Sequence, residues 1–338
     1  MHFVREIWLR HVKYACGRVG RFISFHIATT EQYFTIFARK LFHIRRKSNI
    51  SLERIMKLCY NNAKKGGDFM ADFYLLGNTS HSQMFGCVIK TKKKTVVIDG
   101  GTYKDSNQLV DFLKKESACH VDAWFFTHPH HDHIGCFVDI GKNAQCVTVD
   151  TIYYHFPDLT VQLYASLARN EIEKTLWQDV KKWDARYHTH KVSVDDRFEF
   201  DDVKIHVLRV FNPDITNNCI NNSSTVYRIE GKQSSVLILG DLGVEGGIEL
   251  MRNCSFDLLH TDYTQMAHHG QNGVSRDFYE YIKPKRCIWA SPEWLWNNDQ
   301  GNGFDTGIFQ TVRTREWMEA LGVNEHFVEK DGIQRIEI

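Results

Sequence analysis

The segment Thr127-His-Pro-His-His-Asp-His-Ile-Gly135 carries the most distinctive pattern in the sequence. It has the pattern H-x-H-x-D-H and follows an apolar run at 121–126, which predicts a buried strand that ends where the pattern begins. Histidines two residues apart at a strand end can converge on one cation, and an adjacent Asp-His pair can reach a second. The four candidate ligands are His128, His130, Asp132 and His133. A solvated histidine-rich turn is the alternative; the preceding strand argues against it, so the stretch predicts a metal site.

Three other motifs flank this one along the chain. Thr95-Val-Val-Ile-Asp-Gly-Gly101 is a β-branched strand that ends in an aspartate and two glycines. Val236-Leu-Ile-Leu-Gly-Asp241 is a second buried strand that ends in a carboxylate, and Met266-Ala-His-His-Gly270 adds two late histidines. Each is weak evidence alone, because an aspartate after a strand is usually a turn former. In this order, the four motifs resemble the signature of the metallo-β-lactamase superfamily.

That resemblance implies the four-layer αβ/βα sandwich of the superfamily and two divalent cations that share one aspartate. The first cation would be held by His128, His130 and Asp241. The second would be held by Asp132, His133, Asp241 and, from the late pair, preferably His269. Three protein ligands leave the first cation an open position, as in catalytic zinc sites. Imidazole and carboxylate donors suit zinc best and also admit manganese or iron.

Other residues are expected to act around the ligands. Asp99, Asn222 and Ser224 are expected to hold the ligands in place by hydrogen bonds. Asp132, Asp241 and His268 are the candidate catalytic groups. The leaving group could take its proton from metal-bound water or from His268, which is expected to face the substrate. A water between the two cations would lose a proton near neutral pH and attack the substrate. The motifs therefore predict a dinuclear metallohydrolase.

One departure from the wider family narrows the substrate class. Many members carry a further histidine between the first metal motif and the shared aspartate, but Asn221-Asn-Ser-Ser-Thr-Val-Tyr-Arg-Ile229 has none. This Asn-Asn-x-Ser-x-Val signature resembles the branch that includes the hydrolase domain of ComEC-type DNA-uptake proteins and the phosphorylcholine esterases. The resemblance implies a phosphodiester substrate. The Gly-His-Pro segment of ComEC-type proteins is absent, and Ser291-Pro-Glu-Trp-Leu-Trp296 stands in its place.

Two alternatives stay open for the function, and two for the aromatic residues. The same centre could hydrolyse a lactone, a thioester or a β-lactam, or the protein could be a non-catalytic module that binds nucleic acid or a partner. Trp294 and Trp296 lie in a Gly-rich aromatic loop, which predicts stacking on a base, a choline-like cation or an acyl chain. The loop could equally pack on its own tryptophans.

Charge divides the chain into two parts. Residues 1–69 contain 14 Lys+Arg against 4 Asp+Glu, and residues 70–338 contain 28 against 37. The basic part could bind a membrane surface or nucleic acid. We expect instead that translation begins at Met70, because Lys64-Lys-Gly-Gly-Asp-Phe69 is what a bacterial ribosome-binding site would encode. The acidic part favours a small or short phosphodiester over long nucleic acid, whose binding depends on phosphate contacts; a genuine basic leader would reverse that preference.

Composition is that of an ordinary folded protein. The 338 residues are 43% hydrophobic, enough for a large core at 70–338, and no apolar run is long enough to span a membrane. The periodicity at 160–186 predicts a helical insertion beside the site. Nine scattered cysteines form no C-x-x-C pair. They predict free thiols and a cytoplasmic location.

Overall fold

A computed structural model describes residues 70–143, 146–158 and 171–338, without the side chains of 171–174. The basic leader predicted at 1–69 therefore lies outside the described residues, as does the first part of the predicted helical insertion.

Fourteen strands of the described residues form two seven-stranded sheets. The first sheet contains β1 (Asp72–Leu75), β2 (Gly86–Lys90), β3 (Thr95–Asp99), β4 (His120–Phe125), β5 (Thr148–Tyr154), β6 (Thr189–Lys191) and β14 (Gln334–Glu337). The second contains β7 (Arg197–Phe200), β8 (Val203–Arg209), β9 (Val226–Glu230), β10 (Ser235–Ile238), β11 (Tyr263–Gln265), β12 (Cys287–Trp289) and β13 (His326–Val328). The strand orders are β14-β1-β2-β3-β4-β5-β6 and β13-β12-β11-β10-β9-β8-β7.

The two sheets share a core because their strands alternate between faces. In β3, Val96 and Ile98 join a cluster that also contains Val236 and Ile238 of β10, whereas Val97 lies in a different cluster. Phe125 of β4 belongs to the shared cluster and stacks on Tyr153 with ring centroids 4.4 Å apart. The inner faces of both sheets are thus packed against each other.

Helices cover the outer faces of the sheets. Those of the first half of the chain are α1 (Ser106–Ser117), α2 (His131–Asn143), α3 (Glu171–Val180) and α4 (Trp183–Arg186). Those of the second half are α5 (Val244–Asn253), α6 (Phe256–Leu259), α7 (Arg276–Ile282), α8 (Glu293–Trp296) and α9 (Thr311–Ala320). Leu113 and Phe137 pack with Val97 of the first sheet, and Leu250 and Phe278 pack with the outer face of the second. The expected four-layer αβ/βα sandwich is confirmed.

Two sequence-based expectations are refined by the structure. The predicted helix at 160–186 consists, in its described part, of α3 and α4, and Leu176, Val180 and Trp183 are buried as the 3.6-residue periodicity predicts. The stretch read as an aromatic loop begins with a helical turn, α8, because Asn297 N–H donates to Glu293 C=O. Within the described ranges, no helix combines the length and apolar character needed to cross a bilayer.

The connections after the strands place the polar motifs at one edge of the sandwich. Strands β3 and β4 are parallel neighbours, as are β10, β11 and β12. The carboxyl ends of parallel strands lie at the same edge of a sheet, where ligand sites of α/β proteins form. Asp99, Thr127, Asp241 and His269 all lie at or just beyond such ends.

Candidate metal centre

Asp99 fixes the loop that carries the first motif. Its Oδ1 accepts from the Thr127 backbone N–H at 2.8 Å, and its Oδ2 accepts from the Thr127 hydroxyl at 2.6 Å. Oδ2 also lies 2.8 Å from His133 Nδ1, which must carry the hydrogen because a carboxylate only accepts. The Asp99 backbone has φ 55° and two glycines follow it, so the chain turns sharply beneath the loop. Asp99 therefore orients one ligand and holds the start of the loop.

Four of the predicted ligands form one compact group. Their donor atoms lie within 4.8 Å of one another, and the group is Asp132, His133, Asp241 and His269. His133 Nε2 is 3.1 Å from Asp241 Oδ1, and His269 Nε2 is 3.3 Å from Asp132 Oδ2. All four residues are buried.

A second group shares Asp241 with the first. It consists of His128, His130 and Asp241, again with donor atoms within 4.8 Å of one another. His128 Nε2 lies 3.0 Å from His130 Nδ1 and 3.6 Å from Asp241 Oδ2. Asp241 Oδ1 faces His133 of the first group, and Oδ2 lies 3.5 Å from His269 of the first group and 3.6 Å from His128 of the second. Asp241 thus belongs to both groups, which is the arrangement in which one carboxylate can serve two cations.

The unpaired atoms of these groups fit bound cations. Within the described residues, His133 Nε2, His269 Nε2 and Asp241 Oδ1 are buried and make no hydrogen bond. His269 Nδ1 lies 2.9 Å from the Ala290 carbonyl oxygen, so it carries the hydrogen, and the lone pair of Nε2 faces the carboxylates. Metal-binding histidines characteristically donate their other N–H to a carboxylate or a carbonyl. Buried polar atoms without partners are costly, and a cation would satisfy all three.

The charges of the centre also favour a cation. Burial opposes the charged form of His133, but Asp241 and Asp99 outweigh it and raise its pKa to about 10. Burial likewise acts against a charged His269, and Asp241 and Asp132 raise its pKa well above the usual value. For His128, burial and the neighbouring His133 lower the pKa, so its ring is neutral and its lone pair is free to bind. A field that attracts protons this strongly also attracts metal ions, which compete for the same lone pairs.

Asn222 and Ser224 support Asp241 from the turn before β9. Ser224 Oγ accepts from the Asp241 backbone N–H at 3.0 Å. Asn222 Oδ1 accepts from the N–H groups of Gly243 and Gly246, at 3.0 and 3.1 Å, where α5 begins. The Asn-Asn-x-Ser signature thus positions the backbone on both sides of the shared carboxylate.

The two late histidines have different surroundings. Both have left-handed backbone conformations, with φ 53° at His268 and 57° at His269, which turns their side chains apart. His269 joins the four-residue group, whereas His268 Nε2 is 3.8 Å from Asp241 Oδ2, and the His268 side chain is 19% exposed. His268 Nδ1 lies 3.2 Å from the Asn272 carbonyl oxygen, which leaves Nε2 facing the centre.

Asn221 is a site residue that the sequence did not single out. Its Nδ2 lies 3.3 Å from His268 Nε2, and its Oδ1 is buried without a hydrogen-bond partner in the described part of the chain. The sequence shows two adjacent asparagines, but its pattern does not determine which of the two side chains faces the centre. The 3₁₀ turn Asn221–Ser223 decides it, because this turn directs the side chain of Asn221 to His268 and that of Asn222 to α5.

The two tryptophans suggested for substrate binding lie in different settings. The Trp296 ring contacts Trp289, with centroids 5.2 Å apart, and the Arg315 guanidinium lies 4.2 Å from its centroid. These contacts favour a packing role for Trp296. The Trp294 indole N–H donates to the His81 carbonyl oxygen at 2.9 Å, which ties α8 to the loop between β1 and β2. Trp294 therefore remains the better candidate for a substrate contact.

Comparisons with known proteins agree with the geometry. The family model described as the Metallo-beta-lactamase superfamily matches residues 87–283. The ComE operon protein 3 of Bacillus subtilis (strain 168) is 28% identical over 181 residues, which are 53% of this chain and 21% of that protein. The chain thus spans about a fifth of the length of that relative.

Solved structures of low sequence identity were also found. The metallo-beta-lactamase fold protein YhfI from Bacillus subtilis is 13% identical, with a TM-score of 0.48 over 79% of this chain and 100% of that one. Unliganded yeast PDE1 is 11% identical, with a TM-score of 0.44 over 77% of this chain and 97% of that one.

The hydrogen bonds of Asp99 generate a prediction about metal affinity. Asp99→Asn should weaken zinc binding by about 10–100-fold, because His133 loses the carboxylate that orients its ring. Competition with a chromophoric chelator measures the affinity. Asp201→Asn is the control, since Asp201 accepts from the Thr91 hydroxyl and the Lys93 N–H and lies outside the groups of possible metal ligands that the described residues form. Equal affinities for wild type and Asp99→Asn would show that Asp99 does not orient a ligand.

Proposed function

The chain belongs to the metallo-beta-lactamase superfamily, and we propose that it is a dinuclear metal-dependent hydrolase whose substrate is a phosphodiester. The observation that carries this proposal is the position of Asp241, whose carboxylate is a member of two groups of candidate ligands and lies within 3.6 Å of histidines of both. A single cation would occupy only one of these groups and would leave the histidines of the other group without a bound ion. Two cations account for both groups.

In this proposal, six side chains hold the metal ions. They are His128, His130 and Asp241 for one ion, and Asp132, His133, Asp241 and His269 for the other. Zinc is the first choice for imidazole and carboxylate donors, with manganese or iron as alternatives. When bound, two such ions lower the pKa of water and polarise phosphoryl oxygens. The chain itself supplies the fixed geometry through Asp99, Asn222 and Ser224.

His268 is the candidate proton donor to the leaving group. It lies outside the four-residue group, it is partly exposed, and its Nε2 faces the centre 3.8 Å from Asp241 Oδ2. Asn221 Nδ2 donates to Nε2 of the neutral ring and keeps it in this orientation, and the ring gives up this contact when Nε2 is protonated. A proton carried on Nε2 is thus placed where a substrate oxygen would leave, which is the geometric requirement for general acid catalysis.

The phosphodiester assignment is supported by sequence and by chemistry. The Asn-Asn-x-Ser-x-Val signature at 221–226, with Leu-x-Leu-Gly-Asp at 237–241 and His-His-Gly at 268–270, resembles the branch whose substrates are phosphodiesters. Two adjacent cations can bind the non-bridging oxygens and offset the charge that develops in the transition state. The excess of acidic residues at 70–338 favours a nucleotide, a short oligonucleotide or a choline-type diester over long nucleic acid.

The phosphodiester proposal has two alternatives, which are another ester class as substrate and a binding module without catalysis. A lactone, a thioester or a β-lactam could be attacked in the same way, and a non-catalytic module would bind nucleic acid or a partner without turnover. Metal ions bound without hydrolysis of any of these ester classes would favour the binding module.

The position of the shared carboxylate generates a prediction about turnover. The full chain with Zn²⁺ or Mn²⁺ should hydrolyse bis-p-nitrophenyl phosphate, and Asp241→Asn should lower the rate by roughly 10³-fold or more, because both ions lose a ligand. Release of p-nitrophenol measures the rate. Asp262→Asn is the control, since Asp262 lies at the other end of β11 and binds Ser235 and Lys285.

Three results would count against this account. Wild-type activity in Asp241→Asn would rule out the dinuclear scheme. Turnover of a thioester or a lactone, with none of the phosphodiester, would reassign the substrate while leaving the metal centre intact. Full activity in the presence of a strong chelator would exclude a metal-dependent reaction.

A further prediction distinguishes the roles of His268 and His269. His269→Ala should bind one metal ion fewer, because it removes a ligand of the four-residue group. His268→Ala should retain both ions and lose about 10²–10⁴-fold in turnover, the usual size of a general acid's contribution. Elemental analysis of metal content and steady-state kinetics distinguish the two effects. Loss of metal from His268→Ala, with full metal in His269→Ala, would exchange the two roles.

A further inference from the structure

Two cysteines far from the metal centre lie in contact. Cys119 directly precedes β4, and Cys146 lies shortly before β5, the parallel neighbour of β4. The Cys119 thiol donates a hydrogen bond to Cys146 Sγ, with the sulfurs 3.5 Å apart. In the part of the chain that the structure describes, no other pair of cysteines is joined in this way. The contact brings together two residues that are 27 positions apart in sequence.

The backbone around the pair is suited to a cross-link. The Thr148 N–H donates to the Cys119 carbonyl oxygen at 2.9 Å, which holds the starts of β4 and β5 side by side. A disulfide requires sulfurs about 2.05 Å apart, so the sulfurs must approach by about 1.5 Å. Cys146 lies in an exposed turn, so solvent rather than packed side chains surrounds the thiol that has to move.

The two thiols differ in access, which sets an order of reaction. Cys119 is 5% exposed, whereas Cys146 is exposed to solvent. Burial raises the pKa of Cys119, and its hydrogen bond to Cys146 raises it further. A thiolate attacks a disulfide only when its sulfur is accessible to the reagent. Cys146 is therefore the thiol that meets an external reagent first, and Cys119 is the thiol that resolves the product.

We propose that Cys119 and Cys146 form a modification site that a low-molecular-weight disulfide, such as oxidised glutathione, converts to an intramolecular disulfide. The Cys146 thiolate attacks one sulfur of the reagent, and a protein–glutathione mixed disulfide forms as one glutathione thiolate leaves. The Cys119 thiolate then attacks the Cys146 sulfur, and the second glutathione thiolate leaves. Two protein thiols are oxidised, one glutathione disulfide is reduced, and the two protons of the protein thiols end on the two glutathione thiolates, which leave as thiols.

The cross-link would enclose the first metal motif. The loop closed between Cys119 and Cys146 contains β4, the His128–His133 segment and α2, and therefore four of the six candidate ligands. The cysteines lie at the amino end of β4, whereas the ligands follow its carboxyl end. Since a strand rises about 3.3 Å per residue, the six residues of β4 separate the two places by roughly 20 Å. The cross-link should stabilise this unit without displacing the ligands.

The test oxidises the full chain with millimolar glutathione disulfide. Intact mass should fall by about 2 Da, the mass of two hydrogens, and a non-reducing peptide map should join Cys119 to Cys146. The melting temperature should rise by about 5–10 °C, because the loop is closed in the unfolded chain as well. Metal content should not change, and a reducing agent should reverse the rise.

Single substitutions separate the two thiols. Cys119→Ser should stop at the glutathione adduct on Cys146, and Cys146→Ser should form neither the adduct nor the link at Cys119. Cys254→Ser is the control and should react like wild type, since Cys254 bonds the Leu208 carbonyl oxygen instead. A lasting glutathione adduct on Cys146 in wild type, or a link between other cysteines, would overturn the proposal. Formation of the link without a higher melting temperature would overturn its stabilising role.

Discussion

The hydrogen bonds of Asp99 are the constraint on which the centre depends. One carboxylate, placed by a left-handed turn at the end of β3, accepts from the Thr127 backbone, the Thr127 hydroxyl and His133. The Trp124 indole N–H also donates to the Asp99 carbonyl oxygen at 2.6 Å, so the turn is fixed to the neighbouring strand β4. The start of the loop and one of its histidines are thereby fixed before any ion binds, which is the preorganisation that a metal centre requires.

Asp241 joins this preorganised half to the other sheet. The loop after β4 supplies ligands from the first sheet, and Asp241 and His269 supply them from the second. Packing of the two inner faces brings these loops together. The same contacts that bury the core therefore also assemble the centre. The cost is a set of buried polar atoms without hydrogen-bond partners in the described residues, which bound cations would satisfy.

Much of this was predictable from sequence because the informative residues sit at strand ends. A buried strand followed by a histidine-rich turn places its ligands by geometry alone, and the same holds for Asp99 and Asp241. The choice between His268 and His269 was harder, because both residues have left-handed backbones that no pattern indicates. The role of Asn221 depended on a 3₁₀ turn, and that of Trp296 on a contact with Arg315 that lies 19 residues further along the chain.

The cysteines illustrate a second limit of sequence patterns. Scattered thiols without a C-x-x-C motif predict independent small hydrophobic residues, and the burial of Cys87, Cys136 and Cys287 fits that prediction. Cys119 and Cys146 depart from it because β4 and β5 are parallel neighbours, which aligns the residues that precede them. Only the sheet order, which depends on the whole first half of the domain, brings the two sulfurs together.

The most direct test of the central claim is anomalous diffraction from crystals of the full chain grown with Zn²⁺ or Mn²⁺. The account predicts two anomalous peaks about 3.5–4 Å apart, as in dinuclear hydrolases. One should lie beside His128 and His130, the other beside Asp132, His133 and His269, with the Asp241 carboxylate between them. A single peak, or an Asp241 carboxylate bound to only one of two ions, would contradict the account.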